Sequence, residues 1–428
     1  MIKQIWYEFR HQPLVGIITV IGTSLALFLI MVVVMMQEIQ IAPFAPESNR
    51  ERLLHGMNVH ITDTSATDDM GGSSSAMSYN YARRLYDDLP CVEHVSYTGA
   101  SVDRIDAQEY GGRPFSFDVK YVDDEFWKVF DHTFLYGHPF DRAAFESALK
   151  EVVITESVAR KVFGAVDVVG RDLLVGMARY KVVGVVEDVS TLASNAYGQL
   201  FIPFTIMGYD RPARTPQDCF GNIRAYLLVD DKANFDKVKT EVKRRVDVLS
   251  SEMAIRDGKK IVYHEAPYDQ ETSMVQMGSN TTPDVKGAHK IRLAVYIILL
   301  LIPAINLSSM THSRLRRRVA EIGVRRAFGC TRKRVIIDIV SENFLITLVG
   351  GFIGMVLSVA YAFLFTNMFQ SVPMEGGNVA VTLPMVLHVS TFAWALLFCF
   401  VLNLLSSGIP AWRASRVSPV EALGGINK

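Results

Sequence analysis

Residue types that take part in catalysis and metal binding are present in the sequence, but the spacings that such chemistry requires are not. The sequence has no Gly-x-x-x-x-Gly-Lys-Ser/Thr loop, with which many ATP-hydrolysing proteins hold phosphates. It also has no His-Glu-x-x-His zinc motif and no Gly-x-Ser-x-Gly nucleophile motif. Metal binding at His132 and His138 is not expected. We therefore predict that this chain has no catalytic residue, metal or cofactor of its own and is not an enzyme.

The most distinctive polar pattern is a basic stretch between residues 314 and 334, where nine Lys or Arg side chains surround Glu321. Leu315, Val319 and Ile322 fall on one helical face, and Gly329 is a typical helix stop. A short helix with an apolar stripe and basic surroundings is suited to the groove of a partner protein. The alternative is that the arginines only fix the membrane topology and bind anionic lipid headgroups.

The C-terminal tail carries a second helix signal. Ser418 and Glu421 have the spacing of a capping box, and Pro419 lies at the first helical position. This pattern predicts a short helix that makes a fixed contact, with chance capping as the alternative.

The composition points to a membrane protein. Half of the 428 residues are hydrophobic, and the 44 basic side chains balance the 44 acidic ones, which argues against a nucleic-acid-binding domain. The apolar residues concentrate in blocks that are long enough to cross a bilayer as helices. The first block is longer than the apolar region of a signal peptide and is interpreted as an uncleaved anchor. We predict transmembrane helices at residues 14–36, 291–311, 343–366 and 384–408.

Small residues recur within the third block. Gly350, Gly354 and Ser358 are each four residues apart, a spacing that lets two membrane helices approach closely. The sequence leaves open whether this contact lies within one subunit or between two.

Lys and Arg residues set the predicted orientation, because they collect in cytoplasmic loops. The basic loop at 312–342 and the tail at 409–428 are placed in the cytoplasm, as is the N-terminus. Residues 1–13 are predicted to form an interfacial helix on the inner leaflet, with an extension of the first span as the alternative. The loop at 367–383 has no Lys or Arg and is placed outside, together with a large domain at 37–290.

Strand-like and helix-like segments alternate in the outer domain and predict an α+β fold. Residues 150–154 and 180–186 are rich in β-branched side chains, and a helix at 156–163 is expected to end at Gly164. We predict two lobes, of which one, at about 150–220, is inserted in the other. Cys91 and Cys219 both fall in this domain, where a disulfide is chemically possible.

The order of these features resembles a known family. Residues 321–331, Glu-Ile-Gly-Val-Arg-Arg-Ala-Phe-Gly-Cys-Thr, resemble the signature of FtsX-like ABC transporter permeases, although Cys330 replaces a usual alanine. The tail from Pro410 resembles the Pro-Ala-x-Arg-Ala and Pro-x-Glu-Ala-Leu ending of the same family. Residues 152–188 resemble the MacB-type periplasmic core domain. Together these similarities cover essentially the whole chain.

The resemblance implies a fold and a mechanism. The fold would be four transmembrane helices with an extracytoplasmic α+β domain of two lobes, similar to the Porter and Sabre lobes of the family. The chain would be the permease of a type VII (MacB-like) ABC transporter in the bacterial inner membrane, with the large domain in the periplasm. In the mechanism called mechanotransmission, a cytoplasmic coupling helix passes ATP-driven movement to the outer domains, where substrate is handled.

The same resemblance implies partners. ATP and Mg would be held by a separate ATPase subunit, and a second permease copy or a paralogue would complete a dimer. A periplasmic adaptor and an outer-membrane exit duct are further partners found in the family. The ATPase contact is implied at Leu315, Val319, Glu321, Ile322, Gly323, Arg325, Arg326, Ala327 and Gly329. A cytoplasmic tail contact is implied at Pro410, Arg413, Pro419 and Glu421.

Three functions stay open at this point. Export of a peptide, toxin or drug is the leading hypothesis. Lipoprotein release, as by the LolC and LolE permeases, is the alternative within the family. A signalling or scaffold permease that regulates an envelope enzyme is the third, and substrate-stimulated ATP turnover would separate transport from it. The substrate itself and the choice between homodimer and heterodimer are not encoded in any motif.

Overall fold

A computed structural model describes residues 13–66, 71–210, 219–276, 278, 280–317, 319–364 and 389–416. Two compact units can be distinguished. The helical unit comprises Met1–Ile39, Gly287–Phe369 and Thr382–Lys428, and the α/β unit comprises Gln40–Lys286 and Gln370–Val381.

Three predicted segments lie outside the described residues. They are residues 1–12 of the interfacial helix, the loop at 367–383 and the tail beyond residue 416. The tail positions Pro419 and Glu421 fall in the last of these.

The helices in chain order are α1 (Pro13–Ile41), α2 (Tyr79–Tyr86), α3 (Phe126–Val129), α4 (Arg142–Glu146), α5 (Glu156–Phe163), α6 (Phe235–Asp257), α7 (Gln270–Val275), α8 (Val285–Arg317), α9 (Val319–Ala327), α10 (Arg332–Leu364) and α11 (Val389–Arg416). The strands are β1 (Leu53–Gly56), β2 (Asn58–Asp63), β3 (Ser73–Ala76), β4 (Val92–Gln108), β5 (Phe115–Val122), β6 (Phe134–Gly137), β7 (Glu151–Thr155), β8 (Asp172–Val175), β9 (Ala178–Val186), β10 (Leu200–Pro203), β11 (Ile223–Val229), β12 (Lys259–Val262) and β13 (Tyr268–Asp269).

Three helical segments among the described residues are long and apolar enough to cross a membrane. They are Val20–Ile41, Arg332–Leu364 and Ala393–Arg413, in α1, α10 and α11. The second predicted block lies in α8, several of whose side chains are outside the described set. The count of four spans therefore stays a prediction.

Apolar side chains from three helices form an interior in the helical unit. Leu27 and Ile30 of α1 pack with Ala304 of α8 and with Phe398 and Leu402 of α11. These helices expose many other large apolar side chains, as expected where lipid replaces water as the neighbour.

The α/β unit is built on a ten-stranded mixed sheet. Its order is β13-β1-β11-β4-β5-β10-β7-β9-β6, and β8 pairs with both β4 and β9. A three-stranded sheet, β12-β2-β3, lies beside it in the same unit. The predicted α+β class of this domain is confirmed.

The centre of the sheet shows why these residues form strands. In β7, the side chains of Val152, Val153 and Ile154 are all buried, which requires cover on both faces. The strand runs parallel to β9, and α5 follows it directly in the chain. As predicted, α5 ends at Gly164, which adopts a left-handed φ of 71°.

The predicted lobe boundary near residue 150 does not separate two sheets. Strand β6, before the boundary, pairs with β9 after it, and β10 pairs with both β5 and β7. The division into two lobes, with an insert at about 150–220, therefore stays a prediction. The structure has no disulfide between Cys91 and Cys219.

A buried histidine is expected to make the α/β unit sensitive to acid. His55 on β1 is fully buried, its ring lies 5.5 Å from that of Tyr226, and burial lowers its pKa to about 4. An unfolded chain binds a proton near pH 6.5, so stability is fully present above that pH and falls as the pH drops towards 4. The loss from this group is on the order of 3 kcal/mol.

Replacing His55 with Phe should flatten this pH dependence, because the ring is kept and the titrating group is removed. The measurement is the thermal midpoint of the full chain in detergent at pH values from 7 to 4. His138→Phe, at an exposed position, is the matched control and should keep the wild-type slope. An unchanged slope in His55→Phe would show that other groups cause the acid sensitivity.

Candidate functional site

The basic loop predicted from the sequence folds into α9 and a tight turn. The amide of Cys330 donates to the carbonyl of Arg325 at 3.1 Å, and that of Gly329 donates to the carbonyl of Arg326 at 3.0 Å. This pair of bonds is a Schellman motif, which needs a left-handed residue, and Gly329 has a φ of 92°. Thr331 then caps α10 by accepting from the amide of Arg334 at 3.3 Å. Gly329 and Thr331 therefore determine where α9 ends and where α10 begins.

One face of α9 packs inside the protein. Ile322 is in a buried cluster with Val335 and Ile339 of α10 and with Ala411 of α11. Gly323 is also buried. In the structure the side chain of Ile322 anchors α9 to α10 and α11, and its predicted contact with a partner stays a prediction. The side chains of Leu315 and Val319 lie outside the described set.

The opposite face of α9 is exposed. Glu321 lies three residues before Val324 and four before Arg325, and Phe328, in the turn directly after α9, lies four residues after Val324 and three after Arg325. We call these four residues the docking face. The Nη2 atom of Arg325 donates to Oε1 of Glu321 at 2.5 Å, with both side chains about half exposed. An exposed pair of this kind contributes only about 0–1 kcal/mol, so its charges stay available to a partner.

Two members of the docking face were missed by the sequence reasoning. Phe328 is 88% exposed and Val324 is 41% exposed, although both are large and apolar. The four-residue spacing of Val324 and Phe328 would have indicated one helical face. The sequence analysis instead assigned the apolar face to Leu315, Val319 and Ile322. Of the other predicted positions, Ala327 is exposed and Arg326 is half-buried.

The tail residues that the structure describes lie on α11. Pro410 is inside this helix and buried, next to Ala411 of the cluster that holds Ile322. Arg413 is exposed. Because Ala411 belongs to the same buried cluster as Ile322, the end of α11 packs together with α9.

The row of small residues on α10 faces α1 of the same chain. A Cβ atom added at Gly354 would lie 2.7 Å from the backbone oxygen of Ser24, and one added at Gly350 would lie 2.8 Å from the Cβ of Thr23. Ser358 continues the row and is fully buried. This geometry explains the small residues by close packing of α10 against α1 within one subunit.

Among the described residues, no group of three or more His, Cys, Asp or Glu side chains could hold a metal ion. In the spans, Asn403 is buried, and its Nδ2 atom donates to the carbonyl of Val340 at 3.4 Å. The side chains of Asn306 and His388 lie outside the described part of the chain.

Two family models match the chain. The MacB-like periplasmic core domain matches residues 17–245, which is more than half of the chain. The FtsX-like permease C-terminal region matches residues 293–419 and includes α9 and the docking face.

Relatives of known name are similar over most of this chain. It is 26% identical over 344 residues to the macrolide export ATP-binding/permease protein MacB 1 of Yersinia pestis, covering 79% of this chain and 48% of that protein. It is 24% identical over 343 residues to MacB of Escherichia coli K12, with the same coverage. The chain thus spans about half the length of the curated relatives that it matches.

Solved structures also show similarity to part of the chain. The periplasmic region of MacB from Actinobacillus actinomycetemcomitans is 14% identical with a TM-score of 0.33, covering 48% of this chain and 88% of that one. A domain of a putative permease protein from Porphyromonas gingivalis is 16% identical with a TM-score of 0.36, covering 52% of this chain and 93% of that one.

Proposed function

Because the chain belongs to the family defined by the MacB-like periplasmic core domain and the FtsX-like permease region, we propose that it is the permease subunit of a MacB-like ABC transporter. In this proposal a separate ATPase subunit binds and hydrolyses ATP. The large α/β unit lies in the periplasm, both chain ends lie in the cytoplasm, and the protein resides in the bacterial inner membrane.

The docking face is the observation that carries the proposal. Phe328 is 88% exposed and lies beside exposed Val324 and an exposed ion pair, which together form a mixed apolar and charged surface that a partner protein could cover. It lies on the loop that the positive-inside rule places in the cytoplasm. A large aromatic side chain with charged neighbours is typical of a residue that dominates a protein interface. We assign this face to the ATPase.

Movement of the docking face would have a direct route into the spans. Ile322, on the other side of α9, is packed against α10 and α11. Gly354 brings α10 into backbone contact with α1, which runs to Ile41. Packed helices shift as whole bodies rather than deform. A nucleotide-dependent push on α9 would therefore move several helices together, as mechanotransmission requires.

The proposed task is export of a peptide, toxin or drug from the periplasmic side. The name of the relatives, macrolide export protein, supports efflux as the first class to test. Lipoprotein release stays the alternative within the family, and a signalling permease is the third. A peptide or drug that raises ATP turnover in proteoliposomes supports export, stimulation by a lipoprotein supports release, and no stimulation by either supports signalling.

The partner assignment is tested by purification. A tagged chain, taken from its native membrane in mild detergent, is expected to bring down an ABC ATPase in equimolar amount. Glu321→Arg should lower the recovered ATPase at least fivefold, because it replaces the ion pair with two like charges on the docking face. Gly323→Trp is less suitable, since Gly323 is buried and its replacement tests packing.

The exposed pair Arg142 and Glu146 of the α/β unit provides the control. It has the same spacing of four residues, and Glu146→Arg should leave ATPase recovery unchanged. Full recovery with Glu321→Arg would contradict the docking assignment, and absence of any ATPase from the wild type would contradict the proposed function.

A further inference from the structure

A lysine lies in the core of the α/β unit without an acceptor for its charge. Lys120, on β5, is 3% exposed. The backbone of Gly198 covers its stem so closely that an added Cβ atom would lie 2.9 Å from the Cβ of Lys120. Among the residues that the structure describes, the ammonium group forms no hydrogen bond and no ion pair. A buried charge without a partner is costly, so an acceptor is expected near it.

The carboxylate whose charge acts on Lys120 is already saturated. This carboxylate is Glu47. Its Oε1 atom accepts from the amides of Asn195 at 2.8 Å and Ala196 at 3.0 Å. Its Oε2 atom accepts from Nε of Arg50 at 2.6 Å and from Nδ2 of Asn195 at 3.1 Å. A carboxylate has about four lone-pair positions, and these bonds fill them. Glu47 therefore neutralises Arg50 and leaves Lys120 unpaired.

A second acid on the same face of the sheet is engaged elsewhere. Asp118 precedes Lys120 by two residues on β5, so both side chains lie on one face. The hydroxyl of Tyr197 donates to Oδ2 of Asp118 at 2.6 Å. In the described structure Asp118 forms no ion pair with Lys120, so it does not supply the missing acceptor.

A second cation lies on this face. Arg224 of β11 pairs with Thr98 of β4, and Thr98 pairs with Val122 of β5. Because Val122 and Lys120 are two residues apart, Arg224 and Lys120 lie on the same face of the sheet. Nε of Arg224 is buried and has no hydrogen-bond partner among the described residues. Burial and the charge of Arg224 lower the pKa of Lys120 to about 8, so its ammonium group is still mainly protonated at pH 7.

Two neutral N–H groups lie close to Lys120. Phe201 of β10 is in register with Lys120. The ring centre of Phe201 lies 5.4 Å from that of Trp127 and 5.1 Å from that of His132. Nε1 of Trp127 and Nε2 of His132 are buried and have no hydrogen-bond partner in the described part of the chain. Burial and the charge of Lys120 lower the pKa of His132 to about 3, so this ring is neutral and can donate through Nε2.

We propose that four side chains hold a small monovalent anion, such as chloride, in the core of the α/β unit. They are Lys120, Trp127, His132 and Arg224, all within residues 40–286. Each offers an N–H group, and a halide ion accepts hydrogen bonds from several directions at once. One negative charge would balance the ammonium group of Lys120 and lessen its repulsion from Arg224. The site lies inside one compact unit and does not depend on the proposed function.

The first test is the thermal midpoint of the full chain in detergent at pH 7. Sodium chloride, sodium bromide and sodium gluconate are compared at equal ionic strength, because gluconate is too bulky to enter a closed core. A ligand that binds only the folded chain stabilises it. The midpoint should therefore be roughly 3–5 °C higher in either halide than in gluconate, and the gain should saturate with concentration.

Lys120→Met tests the residue at the centre of the site, because it keeps the stem and removes the charge. This variant should lose the halide response. In gluconate it should be at least as stable as the wild type, since it no longer buries an unpaired ammonium group. The matched control is Lys181→Met, which replaces an exposed lysine on β9 of the same sheet and should keep the full response.

The second test measures chloride itself by the ³⁵Cl NMR linewidth, which broadens when chloride exchanges with a protein site. The excess linewidth per chain should fall at least fivefold in Lys120→Met and stay at the wild-type value in Lys181→Met. Should Lys120→Met fail to fold, Trp127→Phe is measured instead. It keeps an aromatic ring and removes one donor, so the half-saturating chloride concentration should rise at least threefold.

Three results would overturn the anion site. One is an equal midpoint of the wild type in chloride and gluconate. Another is a halide response that Lys120→Met keeps in full or, where that variant does not fold, an unchanged half-saturating concentration in Trp127→Phe. The third is a response that rises without saturation, because that is a general salt effect on the protein surface.

Discussion

Replacing Phe328 with Ser is expected to weaken ATPase binding by about tenfold to a hundredfold and to lower ATP turnover of the complex to the same degree. Phe328 is 88% exposed in the chain alone, so its replacement removes almost nothing from the folded protein. Covering a phenylalanine side chain is worth about 1.5–3 kcal/mol, and each 1.4 kcal/mol changes affinity about tenfold. Because the ring lies in the turn directly after α9, a helix whose other face is anchored by Ile322, the loss should affect docking alone.

The measurement is the dissociation constant of the purified ATPase from the full-length chain in nanodiscs, followed by ATP turnover at an ATPase concentration below the wild-type dissociation constant. Ile255→Ser is the matched control, because Ile255 is an apolar residue on α6 that is 90% exposed. It should leave both quantities unchanged. Equal affinity in wild type and Phe328→Ser would remove the docking face from the interface, while the family membership would stand.

Local signals in the sequence were sufficient for many of the elements. Serine is a preferred helix N-cap, and Ser78 accepts from the amide of Tyr81 at 3.2 Å at the start of α2. Gly164 and Gly329 were expected to end helices, and both are left-handed. These features depend on a few neighbouring residues and on backbone sterics, so they survive in any tertiary context.

Local sequence signals could not predict which face of α9 is buried. Ile322 of α9 and Phe328, in the turn directly after it, are both apolar, yet one is buried and the other is exposed. The choice between them is made by Val335, Ile339 and Ala411, which reach α9 only after the chain has folded. The local sequence of α9 does not specify which face other helices of the chain will pack against.

The buried ion pair between Glu47 and Arg50 was beyond sequence reasoning for a related reason. Glu47 and Arg50 are three residues apart, a spacing that on a surface would be an ordinary ion pair. What sets them apart is their contact with Leu192, Asn195 and Ala196, far along the chain. Long-range contacts of this kind depend on the sheet order, in which neighbouring strands are distant in sequence. The α+β class was predicted from the sequence, but the mixed sheet and its strand order were not.

Replacing Gly354 with Leu is expected to have the largest effect on folding, because no space exists for a side chain between α10 and α1. Even a Cβ atom would lie 2.7 Å from the backbone oxygen of Ser24 and 3.0 Å from the amide nitrogen of Phe28. Backbone atoms cannot move aside as a flexible side chain can. Overpacking typically costs 1–3 kcal/mol, and we expect a loss on the order of 3 kcal/mol. In a membrane, close packing is the main force that holds helices together.

The measurement is the fraction of membrane-extracted chain that elutes as a single species, together with its thermal midpoint. Gly22→Leu is the matched control, because Gly22 lies on α1 and an added Cβ would meet nothing within 4 Å. Gly354→Leu should lose more than half of the single species, and Gly22→Leu should keep it. If Gly354→Leu instead kept its fold but lost dimerisation, the row at Gly350, Gly354 and Ser358 would serve contact between subunits. The route of force from α10 to α1 would then have to be abandoned, because it depends on this backbone contact within one chain.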